Sequence, residues 1–121
     1  MKISVIGTGY VGLVSGLCLS ELGHKVVCVD NQVKKVEMIK KGISPIYERG
    51  IDKLLKKNIK KNFNISTDIE SAVLNSSASI IAVGTPFKNG SINIGFVKKA
   101  AEQIGKIIKE KKDFHVIIVK S

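Results

Sequence analysis

Short apolar runs alternate along this chain with longer segments in which apolar residues recur every three or four positions. That is the pattern of strands and amphipathic helices taking turns. Ile3, Val5 and Ile6 form the first run, too short for a helix, and the chain breaks at once into Gly7-Thr8-Gly9-Tyr10-Val11-Gly12. Leu13, Leu17, Cys18 and Leu22 then fall at helical spacing, and Gly23 follows where a left-handed C-terminal cap is commonly glycine. A helix is therefore predicted from about Tyr10 to Leu22. Val26 to Val29 predict a second buried strand, closed by Asp30.

Beyond Asp30 the same reading continues. Val33, Val36, Met38 and Ile39 predict a helix ended by Gly42, and Ser44-Pro45 forces an extended or turned path. Ile51, Leu54, Leu55 and Ile59 give a third helical stripe with Lys53, Lys56, Lys57, Lys60 and Lys61 turned outward. The SPIYERG loop between them is open to two readings, with Tyr47 packed on the sheet or turned to a ligand. Phe63 to Ser66 predict a short strand. Thr67-Asp68-Ile69-Glu70 has the form of a capping box opening a brief helix through about Leu74. A strand from Ser79 to Val83 is broken by Gly84-Thr85-Pro86, and Phe87 to Gly90 read as a loop. Ser91 or Asn93 can cap the last helix, whose buried stripe would be Ile94, Val97, Ala100, Ala101, Ile104, Ile107 and Ile108. Val116 to Val119 form a final strand expecting cover on both faces.

With right-handed crossovers this order gives an α/β fold: a Rossmann-like doubly wound parallel sheet, strand order 3-2-1-4-5, with the sixth strand of that architecture missing. Length and composition agree, since 121 residues with 44% hydrophobic content suit one domain over 1–121. No run of 18 apolar residues occurs, and Met1-Lys2-Ile3 leads straight into strand, so neither a membrane span nor a signal peptide is expected and the cytoplasm is the default location. Cys18 and Cys28 lack CxxC spacing or a nearby histidine and are expected to be small core residues. Neither they, His24 nor His115 suggests a metal site.

The net charge of +10 is concentrated between residues 34 and 61, where nine lysines and Arg49 face only Glu37, Glu48 and Asp52. Such a cluster attracts polyanions. Its lysines are nevertheless spread along helical segments, and aromatics for base stacking make up 5% of the chain, so a solvated helix face is expected rather than a nucleic-acid surface. A negatively charged nucleotide substrate would gain from the same charge.

The chemistry is densest at the first turn. Gly7 to Gly12 spell G-x-G-x-x-G between a strand and a helix. The first glycine serves the sharp turn, the second lets backbone approach a pyrophosphate, and the third lets the helix pack on the strand. The unpaired amides and positive dipole end of the helix form an anion site. Asp30 lies 18 residues beyond Gly12, where a carboxylate can accept both adenosine ribose hydroxyls. A 2′-phosphate beside it would cost about 4 kcal/mol per charge pair at an effective dielectric near 20, which favours NAD over NADP. Lys34 and Lys35 are the nearby cations that could offset part of that cost. The glycine loop, Asp30, Gly84-Thr85-Pro86 and Lys120-Ser121 all fall at carboxyl ends of predicted strands, the edge where open parallel sheets bind ligands.

IGTGYVGL at Ile6 to Leu13, VD at Val29-Asp30, SPIYERG at Ser44 to Gly50, VGTP at Val83 to Pro86 and VKS at Val119 to Ser121 together resemble the N-terminal domain of the UDP-glucose/GDP-mannose dehydrogenase family, over the whole chain. The resemblance implies oxidation of the C6 alcohol of a nucleotide sugar to a carboxylate, by two NAD-dependent hydride transfers through a thiohemiacetal on a cysteine. It implies that Gly7, Gly9 and Gly12, with backbone from Tyr10 and Val11, bind the NAD pyrophosphate, and that Asp30 holds the adenosine ribose. Lys35 would be the family's basic residue at the adenosine end, Thr85 would lie near the nicotinamide half, and Ser121 would open the S-T-V-P stretch beside it. Arg49 departs from the proline usual in Y-E-P-G. The family's catalytic cysteine, its lysine and asparagine helpers, its central helix and its sugar-nucleotide domain have no match before Ser121, and neither Cys18 nor Cys28 can replace that cysteine. The resemblance thus implies an N-terminal fragment that binds NAD without turning over, from a protein that is a homodimer at full length. UDP-glucose is the first expected substrate, with GDP-mannose or a UDP-N-acetyl sugar as alternatives and a non-catalytic NAD-binding module as a further one.

Overall fold

In the computed structural model, which describes residues 1–120, the elements run β1 (Lys2–Ile6), α1 (Tyr10–Glu21), β2 (Lys25–Val29), α2 (Val33–Lys40), α3 (Ile51–Asn58) and β3 (Phe63–Ser66). They continue through α4 (Ile69–Leu74), β4 (Ala78–Ile81), β5 (Phe87–Lys88), β6 (Ser91–Ile92), α5 (Gly95–Ile108) and β7 (Val116–Val119). Five strands form one parallel sheet in the order β3-β2-β1-β4-β7. This is the expected 3-2-1-4-5 order, the fifth sheet strand being numbered β7 once a small hairpin is counted.

The period-two alternation of each strand decides which helices it meets. Ile3 and Val5 of β1 face one side, where Leu13, Leu17, Ile39 and Leu55 from α1, α2 and α3 close the larger core. Ile6 faces the other side with Val29 and Ile81, under Val73 of α4 and Ile104 of α5. The sheet is therefore covered on both faces around β1, as the continuous apolar runs require.

Several local expectations are corrected. The buried face of α1 is Gly12, Leu13, Gly16, Leu17 and Ser20, while Cys18 and Leu22 are exposed. The helix is apolar nearly all round, so its pattern does not select a face. Closeness of approach does: a Cβ on Gly16 would lie 2.7 Å from the Cys28 sulfur. Phe87 to Gly90 are half of a hairpin rather than an open loop, with Phe87 paired to Ile92 and Asn89 and Gly90 both at positive φ (52° and 80°), the conformation of a tight I′ turn. Asp68 rather than Thr67 caps α4, its carboxylate accepting from the Ser71 amide at 3.1 Å. Asn93 accepts from the Gly95 amide at 2.8 Å, one residue ahead of the α5 cap position, and Ser91 belongs to β6. Ile94 and Ala101 of the proposed α5 stripe are exposed. All four residues of β7 are exposed as well, because this edge strand pairs only with β4.

Ser4 and Ser79 break the apolar pattern of adjacent strands at matched register, and both are fully buried. Burial of hydroxyls is tolerable only if they are bonded, and here each is. Their oxygens lie 2.6 Å apart, Ser76 donates to Ser4 at 3.0 Å, and Ser79 meets His115 Nε2 at 2.8 Å. Lys111 Nζ lies 3.0 Å from His115 Nδ1. A lysine ammonium can only donate, so Nδ1 accepts and Nε2 carries the proton that goes to Ser79. Burial first, and then the Lys111 charge, hold the imidazole below its ordinary pKa and keep it neutral. This network ties the entry of β7 to β4 at the amino edge of the sheet, away from the chemistry.

Candidate functional site

Ladder bonds that run past the strand ends fix the opposite edge. The Gly7 amide donates to Val29 O at 2.8 Å, Ala82 to Ile6 O at 2.8 Å, Asp30 to Ser66 O at 3.1 Å and Lys120 to Ile81 O at 2.9 Å. These bonds bring the glycine loop, Asp30, the VGTP segment and Lys120 to one rim. A cleft of about 680 Å³ opens there, and Gly7, Gly9, Tyr10, Val11, Asp30, Lys35 and Thr85 all line it. Gly12 is buried beneath the loop, and Ser121 lies outside the described residues. Sequence reasoning missed the contribution of α5: Phe96, Lys99 and Gln103 form the wall beyond Thr85. Their signal was the helix that follows the VGTP turn.

The three glycines answer different demands. Gly7 has φ +104°, and a Cβ there would lie 2.6 Å from Ala82 O. A Cβ on Gly12 would lie 1.9 Å from Gly7 O, so the loop can close on the helix only through glycine. Gly9 is unlike both, since a Cβ there would meet nothing within 4 Å. The protein itself does not need a glycine at that position; the space beside it is open to the cleft. No side chain caps α1, and its ladder begins with the Leu13 amide on Gly9 O at 2.9 Å. The amides of Tyr10, Val11 and Gly12 precede that first rung, leaving bare donors at the positive end of the helix.

Asp30 is held tightly. Its Oδ2 accepts from Thr8 Oγ1 at 2.5 Å and from the Thr8 amide at 3.2 Å, Oδ1 accepts from the Gln32 amide at 2.9 Å, and Lys35 Nζ lies 3.6 Å from Oδ2. Burial alone would raise the carboxyl pKa. The bonds from Thr8 and Gln32, with the Lys35 charge, outweigh it and hold the group below its ordinary range, so it is ionised at neutral pH. Thr8 is 1% exposed and stands at a position the glycine motif leaves unspecified, so no sequence signal marked it.

The SPIYERG loop does not pack Tyr47 on the sheet. That residue is 97% exposed, and its carbonyl accepts from the Tyr10 hydroxyl at 2.7 Å, which ties the loop to the start of α1. Ile46 is the residue of this loop that packs on the core. Cys28 is buried near the carboxyl end of β2, where burial first and the Asp30 charge second push its thiol pKa well up, so it is no nucleophile.

The model of the NAD binding domain of the UDP-glucose/GDP-mannose dehydrogenase family matches residues 1–121. The chain belongs to this family. NAD is the cofactor of the domain that the match describes. Among dehydrogenases of the family, the UDP-glucose 6-dehydrogenase TuaD of Bacillus subtilis is 47% identical over 99% of this chain and 26% of its own length. A GDP-mannose 6-dehydrogenase of Pseudomonas aeruginosa is 42% identical over 100% of this chain and 28% of its own. The solved ternary complex of GDP-mannose dehydrogenase from P. aeruginosa superposes with a TM-score of 0.96 at 41% identity, covering 100% of this chain and 28% of that one. UDP-glucose dehydrogenase from Pyrobaculum islandicum superposes with a TM-score of 0.92 at 36% identity, covering 98% and 28%. The chain thus spans just over a quarter of the length of the dehydrogenases it matches.

Proposed function

We propose that this chain is the N-terminal, NAD-binding part of a nucleotide-sugar 6-dehydrogenase that oxidises UDP-glucose to UDP-glucuronate. The observation that carries the cofactor half of this reading is the rim itself, where uncapped amides, the open space at Gly9 and an ionised, nearly buried carboxylate face one cleft. In this reading the Tyr10, Val11 and Gly12 amides hold the pyrophosphate, with Gly7 and Gly9 giving it access. Asp30 and Lys35 take the adenosine ribose, and Thr85 and Ser121 serve the nicotinamide half. Bound there, NAD supplies a hydride acceptor. Neither cysteine lines the cleft, so neither is offered as a thiol for the sugar chemistry.

The choice of UDP-glucose rests on the 47% identity with the B. subtilis enzyme. A GDP-mannose reading has its own support in the TM-score of 0.96 to the P. aeruginosa enzyme. Turnover by the intact protein separates them: UDP-glucose is expected to yield two NADH per sugar, with GDP-mannose reacting far more slowly, and the reverse order would favour the second reading. The cofactor half is tested apart from the sugar. NADH at a hundred times its Kd is expected to stabilise the fold by about 2.7 kcal/mol, and no stabilisation would refute NAD binding by this chain.

A further inference from the structure

Asp30 has fewer open acceptor sites than a free carboxylate. Each carboxylate oxygen has about two lone-pair sites. Oδ2 receives both the hydroxyl and the amide of Thr8, which fills it, while Oδ1 receives only the Gln32 amide and keeps one site open. The side chain is 9% exposed, so it cannot swing free to offer both oxygens to a ligand. Lys35, 24% exposed and 3.6 Å from Oδ2, keeps spare donors beside it.

We propose that Thr8 is a specificity-determining positioning residue, which occupies Oδ2 of Asp30 and presents Oδ1 alone to one ribose hydroxyl, the other hydroxyl falling to Lys35. This rests on the reading that Asp30 takes the adenosine ribose, and it replaces a carboxylate bridging both hydroxyls with a carboxylate and ammonium pair. Without the threonine hydroxyl, the carboxylate is free to turn toward Lys35, which loosens the ribose contact and neutralises the charge that repels a 2′-phosphate.

The test is calorimetric binding of NADH and NADPH to the intact protein across pH. Thr8→Val, nearly isosteric but without the donor, is expected to weaken NADH about tenfold and to narrow its preference over NADPH by a similar factor. The acid limb of NADH binding is expected to move to higher pH, because Asp30 loses a bond that favours its charged form. Thr8→Ser keeps the donor and is expected to behave as the wild type. Should Thr8→Val fail to fold, Thr8→Ala carries the same expectation. Thr8→Val, or Thr8→Ala in its place, with unchanged preference and an unmoved acid limb would overturn the proposal, whatever its stability. Asp30→Ala separates the two levels: if it too leaves the preference unchanged, the ribose assignment has failed. If it changes the preference and Thr8→Val does not, only the role of Thr8 has failed.

Discussion

Gly9→Ala is expected to leave the protein folded but to bind NAD far more weakly, whereas Gly12→Ala is expected to damage the fold itself. The two glycines sit three residues apart in one motif, yet their surroundings are opposite. The added methyl at Gly9 enters space that no protein atom occupies within 4 Å, at a φ of −75° that alanine adopts freely. The melting temperature without ligand should stay within a degree or two of wild type. If the pyrophosphate uses that space, the methyl displaces it from the bare amides of α1. A steric penalty of about 1 to 3 kcal/mol then weakens NADH by roughly 10- to 100-fold. At Gly12 the methyl would stand 1.9 Å from Gly7 O and 2.8 Å from Gly7 C, both backbone atoms that cannot turn aside. Either the turn opens or α1 lifts from the sheet, at a cost of about 3 kcal/mol and a fall in melting temperature on the order of 10 °C or more. Thermal unfolding with and without NADH reads both effects. Equal loss of stability in the two variants would mean that Gly9 serves the fold rather than a ligand.

Asp30→Ala is expected to weaken NAD by about tenfold or more and to narrow the gap to NADP, because it removes both a ribose acceptor and the charge opposing a 2′-phosphate. Lys35, 3.6 Å from the lost carboxylate, would then be free to meet that phosphate. Stability should fall as well, by about 1 to 3 kcal/mol, since the hydroxyl of the almost fully buried Thr8 loses its acceptor. The pH dependence has a definite sign. A carboxyl whose pKa is lowered on folding contributes stability that is present above its unfolded pKa, here 3.8, and is lost as pH falls through the folded value. The variant lacks that contribution at neutral pH, so its stability should change less than that of the wild type on acidification. An unchanged ratio of NAD to NADP affinity would remove Asp30 from the ribose.

Much of the fold was legible because its strongest constraints are local and periodic. Gly7 and Gly12 were readable as backbone contacts, since the motif encodes steric demands that the 2.6 Å and 1.9 Å approaches make explicit. The strand order followed from the alternation of strands and helices with one handedness of crossover. What escaped was decided by tertiary partners. Cys18 and Leu22 looked like core residues because α1 is apolar around its circumference, and only the approach of Gly16 to Cys28 picks the buried side. The serine, histidine and lysine network joins positions separated by up to 75 residues, which no window of sequence can pair. Asn89-Gly90 carried its hairpin signal openly, but with strands of two residues each it lacked the flanking alternation that normally supports such a reading. Thr8 was invisible for another reason: its role depends on Asp30, 22 residues away, and not on the glycines beside it.

A second cleft of about 540 Å³ lies between α2 and β3, lined by Lys40, Lys41 and Lys60, and it offers an anionic nucleotide a place to bind by charge alone. Backbone amide resonances followed by NMR during titration with NADH decide between the two places. The amides of Gly9, Tyr10, Val11 and Gly12, followed by those of Asp30 and Thr85, are expected to shift first and furthest, saturating together at one Kd. Shifts confined to Lys40, Lys41, Lys60 and their neighbours, with the amides that open α1 unmoved, would contradict the account.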